Sequence, residues 1–135
     1  MATPLRSETL PLREPSDILL VRQFVREYAA ELGFGVLDQT KLVTAASELG
    51  RNTLIHGEGG KMLLETFVRN DRRGVRLTFE DQGPGITDLE QAMSDGYTTK
   101  GGLGLGLGGS KRLVNEFELV SRVGEGTRVT VTRWT

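Results

Sequence analysis

Three short segments of this chain carry residue types that can do chemistry together. Asp81-Gln82-Gly83-Pro84-Gly85-Ile86 offers one carboxylate with glycines two and four residues later. Gly101-Gly102-Leu103-Gly104-Leu105-Gly106-Leu107-Gly108-Gly109 alternates glycine with leucine and runs into Ser110-Lys111-Arg112-Leu113-Val114. Glu48 and Asn52 stand four residues apart in a stretch with helical spacing. A carboxylate accepts a hydrogen bond from an exocyclic amine such as that of adenine. A glycine run lets backbone N–H groups approach phosphates with no Cβ in the way. Positions four apart on a helix share a face. There a carboxylate can orient or deprotonate a nucleophile, and an amide oxygen is a hard donor suited to Mg²⁺. The combination points to a purine-nucleotide site.

Each segment also has a plainer reading. Asp, Gly and Pro are ordinary turn residues, so Asp81–Gly85 alone reads equally as a simple turn. Glu48 and Asn52 alone read as a solvated polar pair. The glycine–leucine run is harder to reduce, because a flexible loop does not need leucine at alternate positions. Two familiar phosphate motifs do not account for it. Gly104 and Gly109 have P-loop spacing, but Ser110-Lys111 follows in the wrong order. Gly104-x-Gly106-x-x-Gly109 matches a dinucleotide fingerprint, but no strand-like run precedes it.

The elements that must position these residues follow from patterning. A short extended segment near Glu8–Leu12 ends at Pro15, and Ser16 or Asp17 is expected to cap a helix running to about Leu32. Its apolar positions are Leu20, Phe24, Tyr28 and Leu32 beside Val21 and Val25. With Ile18 and Leu19 they cover more than one face, so the helix is either deeply buried or shared with a partner, and burial is the expectation. Asp38 is the candidate cap of a second helix to about Leu54, with Leu42, Ala46, Leu49 and Thr53 inward. Strands are expected over Lys61–Val68, Gly74–Glu80, Phe117–Val123 and Gly126–Arg133, with Asn70-Asp71-Arg72-Arg73 as a turn. A third helix begins near Leu107 or Gly108. The fold class is α+β, a two-layer α/β sandwich with a mixed, mostly antiparallel sheet and helices on one face.

Composition narrows the field. The chain's 135 residues suit one domain spanning 1–135. With no cysteine and a single histidine, His56, neither a disulfide framework nor a thiolate or multi-histidine metal site is available. A net charge of −1 gives no basic field for nucleic acid or an anionic membrane. No apolar run approaches a membrane span, and Met1–Glu8 carries no signal-peptide core, so a cytoplasmic protein is expected. Seven of the 18 glycines lie between Gly96 and Gly109, so the excess is local.

These residues resemble the GHKL ATPases, which share the Bergerat fold. Glu48-Leu49-Gly50-Arg51-Asn52 looks like that family's N box, Asp81–Gly85 like its first glycine box, and Gly102–Leu107 like its second. Gly126-Thr127 resembles the late-strand element that joins the adenine site. Within the family, Ala45–Thr53 and Asp95-Gly96-Tyr97-Thr98-Thr99 are similar to the short serine/threonine switch kinases of the anti-sigma-factor type, which act in stressosome-like pathways. The resemblance implies ATP and Mg²⁺ as cofactors. Glu48 would be the catalytic base or orienting carboxylate, Asn52 the Mg²⁺ ligand, and Asp81 the adenine acceptor. Gly83 and Gly85 would let the base sit close. Gly102, Leu103, Gly104, Leu105, Gly106 and Leu107 would bind phosphates, with Thr127 beside the base. It further implies a STAS-domain protein as substrate and a PP2C-type phosphatase or a sigma factor as second partner. The alternative is an anti-sigma factor that holds a sigma factor in an ATP-dependent way. His56 is expected at the edge of the site or as a helix cap, not as a phosphate acceptor.

Overall fold

The computed structural model describes residues 3–86, 93 and 106–135. The described elements are β1 (Arg6–Leu12), α1 (Ser16–Glu31), α2 (Val36–Ile55), β2 (Gly60–Arg69), β3 (Arg72–Asp81), α3 (Gly106–Lys111), β4 (Glu116–Arg122) and β5 (Gly126–Trp134). The five strands form one sheet in the order β1-β2-β3-β5-β4. The expected two-layer α+β sandwich is present, with one revision. Every described strand pair is antiparallel, where a mixed sheet was expected. The reason lies in the connections. α1 and α2 form a helical hairpin, which returns the chain to the end of the sheet it left, so Leu12 faces Gly60. β2–β3 and β4–β5 are β-hairpins, which are antiparallel by construction.

The β2–β3 turn is tighter than the sequence suggested. Asn70 and Asp71 both have positive φ, 50° and 67°, as a two-residue type I′ turn requires. Asn and Asp tolerate that region, so Arg72 and Arg73 are released from the turn into β3.

Both expected helix caps are replaced. Neither Ser16 nor Asp17 caps α1; Pro15 stands at the N-cap without a side-chain bond. Asp17 instead accepts from the backbone N–H groups of Arg13 (2.8 Å) and Glu14 (3.1 Å), which fixes the chain as it leaves β1. Gly35 is the N-cap of α2, and Asp38 lies in the first turn. Its carboxylate accepts from Arg133 Nη2 at 2.6 Å, which ties α2 to β5.

The core lies between the helical hairpin and the inner face of the sheet. Leu42, Ala46, Leu49 and Thr53 of α2 are all buried, as their spacing predicts. They meet Leu12, Met62, Leu64, Leu77, Phe79 and Val131 across the layer. α1 departs from expectation. Val21, Val25, Tyr28 and Ala29 are buried, whereas Leu19 and Leu20 are 69% and 46% exposed. Each residue advances about 100° around a helix, so four consecutive apolar residues from Ile18 to Val21 cannot all face one layer. On the outer face of the sheet, Phe67 and Trp134 lie on either side of Gly74 and are covered by arginines. Arg76 sits 4.6 Å from the Phe67 ring centre, and Arg69 and Arg72 sit 5.3 and 5.6 Å from that of Trp134.

Leu42→Ala empties a fully buried position and is expected to cost about 2–5 kcal/mol of unfolding free energy. Leu19→Ala, on the exposed side of α1, is expected to change it by less than about 0.5 kcal/mol. Urea titration of the two variants checks the assignment of faces, which fails if they cost the same.

Candidate functional site

The candidate site is organised around one row of the sheet. Strand register places Gly60, Asp81, Thr127 and Ser121 side by side across β2, β3, β5 and β4. Asp81 is the last residue of β3 and is 9% exposed. Its Oδ1 accepts two backbone hydrogen bonds, from Gly83 N–H at 2.9 Å and Thr127 N–H at 3.2 Å. Among the described residues no hydrogen bond reaches Oδ2, so the acid keeps one oxygen for a donor from outside the protein. Burial pushes the Asp81 carboxyl above its ordinary value of 3.8, and the bonds from Gly83 and Thr127 pull it part of the way back.

Gly57, which no motif in the sequence singles out, belongs to this site. A Cβ on Gly57 would stand 2.3 Å from both Asp81 Cγ and Oδ2. A Cβ on Gly83 would stand 2.7 Å from the Gly57 carbonyl oxygen. The Gly57 backbone therefore closes against the carboxylate, and the Gly83 backbone closes against Gly57. Gly85 has φ +78°, and a Cβ there would come 2.3 Å from Arg122 O. The glycine loop is thus pinned to the β4–β5 hairpin, as is Pro84, whose carbonyl accepts from Gly124 N–H at 2.8 Å.

Ser121 is the second residue missed. Its Oγ accepts from Ile86 N–H at 2.8 Å, donates to Gly126 O at 3.2 Å, and lies 2.8 Å from Thr127 Oγ1. Counting outward from the three-residue loop Val123-Gly124-Glu125 places it opposite Thr127, which was the available signal.

α2 brings the polar pair to the same end of the fold. Glu48 is buried at 4% exposure, and Arg51 Nη1 donates to its Oε1 at a long 3.4 Å. One turn on, Asn52 is half-buried, and its side-chain amide makes no hydrogen bond among the described residues. The Asn52 carbonyl accepts from the N–H groups of His56 (2.9 Å) and Gly57 (3.2 Å). α2 therefore ends on the residue that packs against Asp81. His56 is the C-cap of α2, one of the two places expected for it. α3 packs against α2, and its Leu107 is in the core cluster. Gly106 is the first residue of α3. Gly102, Leu103, Gly104 and Leu105, like Asp95–Thr99, lie outside the described residues.

A half-buried amide oxygen facing no donor among the described residues fits Mg²⁺, which takes few protein ligands and fills its octahedron with phosphate and water oxygens. Among the described residues no group of three or more His, Cys, Asp or Glu gathers to hold a metal by itself. A cleft of about 560 Å³ also borders Asp81 and Gly57. Its other walls include Thr9, Pro11, Lys61 and Glu80, whose strand positions alternate with the core residues. It therefore opens on the face opposite α2. Among the described residues no helix is long and apolar enough to cross a membrane.

A buried carboxylate on a glycine loop, docked against a helix carrying Glu and Asn four apart, defines a class. Residues 13–133 match the family described as "Histidine kinase-like ATPase domain", and the chain belongs to it. The expected GHKL relationship is therefore correct. Among its relatives is the Bacillus subtilis (strain 168) serine/threonine-protein kinase RsbT, 46% identical over 118 residues, covering 87% of this chain and 89% of RsbT. The anti-sigma F factor of Thermoanaerobacter sp. (strain X514) is 32% identical over 118 residues, covering 84% of this chain and 82% of that protein. In fold, the chain is similar to the structure of the RsbU and RsbW domains of a Mycobacterium tuberculosis protein, with a TM-score of 0.65 and 24% identity. That alignment covers 97% of this chain and 33% of the other.

The raised Asp81 pKa sets a pH dependence. The folded chain holds this proton more tightly than the unfolded chain. The resulting stabilisation is full below pH 3.8 and is lost as pH rises through the raised folded value. Asp81→Asn keeps an acceptor for both N–H groups and has no proton to lose. Its stability relative to wild type is therefore expected to rise with pH across that window and then level off. Urea midpoints of both proteins from about pH 3 to 7 measure this, and a difference that stays flat contradicts the burial argument.

Proposed function

We propose that this chain is an ATP- and Mg²⁺-dependent serine/threonine protein kinase of a partner-switching pathway. Its substrate is a STAS-domain protein. Once phosphorylation has released it from that protein, it engages a second partner, a PP2C-type phosphatase. The observation that carries the reading is the junction at Gly57. The helix bearing Glu48 and Asn52 ends against the Asp81 carboxylate, so the three polar groups belong to one site. The 46% identity to a serine/threonine-protein kinase supports the reaction class.

In this reading Asp81 Oδ2 accepts a hydrogen bond from the 6-amino group of adenine, with Thr127 beside the base. Gly83 and Gly85 let the loop pack against Gly57 and Arg122, so the base can sit close. The backbone of Gly102–Leu107 receives the phosphates. Asn52 holds Mg²⁺, which neutralises phosphate charge when bound. The partner's hydroxyl oxygen forms a bond to the γ-phosphorus as the bond to the β-bridging oxygen breaks. The hydroxyl proton passes to Glu48, and ADP leaves. Arg51 steadies the Glu48 carboxylate between turnovers. Such transfer is chiefly positioning and charge neutralisation, so a small domain suffices once the partner brings its hydroxyl into line. The product carries nearly two negative charges at the docked surface, a sufficient cause for release.

A sigma factor as the bound partner is the second reading, favoured by the 32% identity to an anti-sigma F factor. In that case nucleotide binding matters and Glu48 does not.

Phosphate transfer from γ-labelled ATP to the STAS-domain protein encoded nearby separates the two. Glu48→Ala is expected to keep ATP binding and to lose transfer by about 10²–10⁴-fold. Asp81→Asn is expected to lose both. Transfer by Glu48→Ala at the wild-type rate refutes the assigned base. Gly57→Ala forces a methyl group into the Asp81 carboxylate and is expected to weaken ATP binding at least about tenfold, the cost of one misplaced charged hydrogen bond. Calorimetric titration with ATP measures it.

A further inference from the structure

The hydroxyl of Ser121 has a countable set of neighbours. It carries one proton and two lone pairs. Ile86 N–H, 2.8 Å away, can only donate, so it occupies one lone pair. Gly126 O, 3.2 Å away, can only accept, so it takes the proton. The remaining lone pair faces Thr127 Oγ1 at 2.8 Å. The arrangement in which all three contacts are bonds therefore has Thr127 donating to Ser121. Thr127 then has no proton left for the pocket, only lone pairs.

This matters because Thr127 lies next to Asp81 in the same row. Both backbone donors nearest the acid, Gly83 N–H and Thr127 N–H, are already spent on Oδ1. With the Thr127 proton turned away, Asp81 and Thr127 both present acceptors. A 6-aminopurine brings two amino protons to that wall, one for each acceptor, and leaves its N1 lone pair to water. A 6-oxopurine brings an N1–H that Asp81 can accept, but also an oxygen that needs a donor. The hydroxyl beside Asp81 in the same row is that of Thr127, and Ser121 holds its proton.

We propose that Ser121 is a specificity-determining positioning residue, which fixes Thr127 as an acceptor beside Asp81 and so selects a 6-aminopurine nucleotide over a 6-oxopurine one. The inference rests on the reading that Asp81 meets the nucleobase. Ser121 itself does not touch the base; it acts through Thr127. It also clips the glycine loop to β4 through Ile86, a structural duty that serves any purine equally.

ATP and inosine triphosphate differ at the group in question, and the ratio of their dissociation constants separates the two duties. Ser121→Ala removes the acceptor that holds the Thr127 proton, so Thr127 can turn and donate to a 6-oxo group. The preference for ATP is expected to narrow about threefold to tenfold, the range of one hydrogen bond. Ser121→Thr keeps the hydroxyl and is expected to restore the ratio. In the Thr127→Val background, Ser121→Ala is expected to leave the ratio unmoved, because the group it controls is gone. If Ser121→Ala does not fold, Ser121→Cys keeps the volume while weakening both bonds and is expected to narrow the ratio in the same direction.

An equal loss of affinity for both nucleotides in Ser121→Ala overturns the proposal and leaves Ser121 as a loop clip. A narrowing that persists in the Thr127→Val background overturns it too. A wild-type protein that prefers ATP while Ser121→Ala shows an unchanged ratio refutes the role of Ser121 alone. A wild-type protein that binds both nucleotides equally, or neither, refutes the placement of the base at Asp81 and takes this proposal with it.

Discussion

A carboxylate taken out of water must be repaid by donors, and in this fold the repayment at Asp81 fixes the surrounding chain. Two backbone N–H groups meet one of its oxygens, one from the glycine loop two residues on and one from β5. Hydrogen bonds to an ionised acceptor are roughly twice as strong as neutral ones. The pair holds the loop down and fixes the end of β3 against β5. The approach is so close that Gly57 and Gly83 have no room for a side chain. Glycine at these two places is a packing requirement before it is a binding feature.

α2 transmits this constraint to the polar pair. Its inner positions fill the core with Leu42, Ala46 and Leu49, so its rotation about its own axis is set by hydrophobic burial. Its N-terminal turn is held by Arg133 through Asp38, and its C-terminal turn abuts the Asp81 loop. With both ends and one face fixed, Glu48 and Asn52 have little freedom in where they stand. Two side chains four residues apart on a rigid helix are more precisely placed than the same pair on a loop.

What could be read from the sequence were the features governed by local periodicity. The spacing of Leu42, Ala46, Leu49 and Thr53 settled the buried face of α2, and alternation located the four later strands to within a residue or two. The caps were misjudged because Asp17 and Asp38 find better partners elsewhere: Asp17 bonds back to Arg13 and Glu14, and Asp38 reaches Arg133, 95 residues away. Leu19 and Leu20 were misjudged because a helix buries a stripe, and four apolar residues in a row exceed it. Gly57 and Ser121 were missed for a different reason. Each matters only through a residue on another strand, and only strand register brings those partners together. The sequence did single out Asp81 and Thr127, which strand register sets side by side, and Glu48 and Asn52, whose spacing of four puts them on one face of α2.

The outer face of the sheet carries a consequence of an optical kind. Trp134 is the chain's only tryptophan. Its indole is shielded beneath Arg69 and Arg72, and its Nε1 donates to Glu116 at 2.6 Å. It stands seven residues along β5 from Thr127, about 23 Å at the usual rise of a strand. Its emission therefore reports on the integrity of the sheet at the hairpin end, where the ring has charged neighbours to lose on unfolding. Events at the Asp81 row are too distant to alter its surroundings directly. The protein thus carries a built-in fluorophore for unfolding that is largely blind to what occupies its pocket.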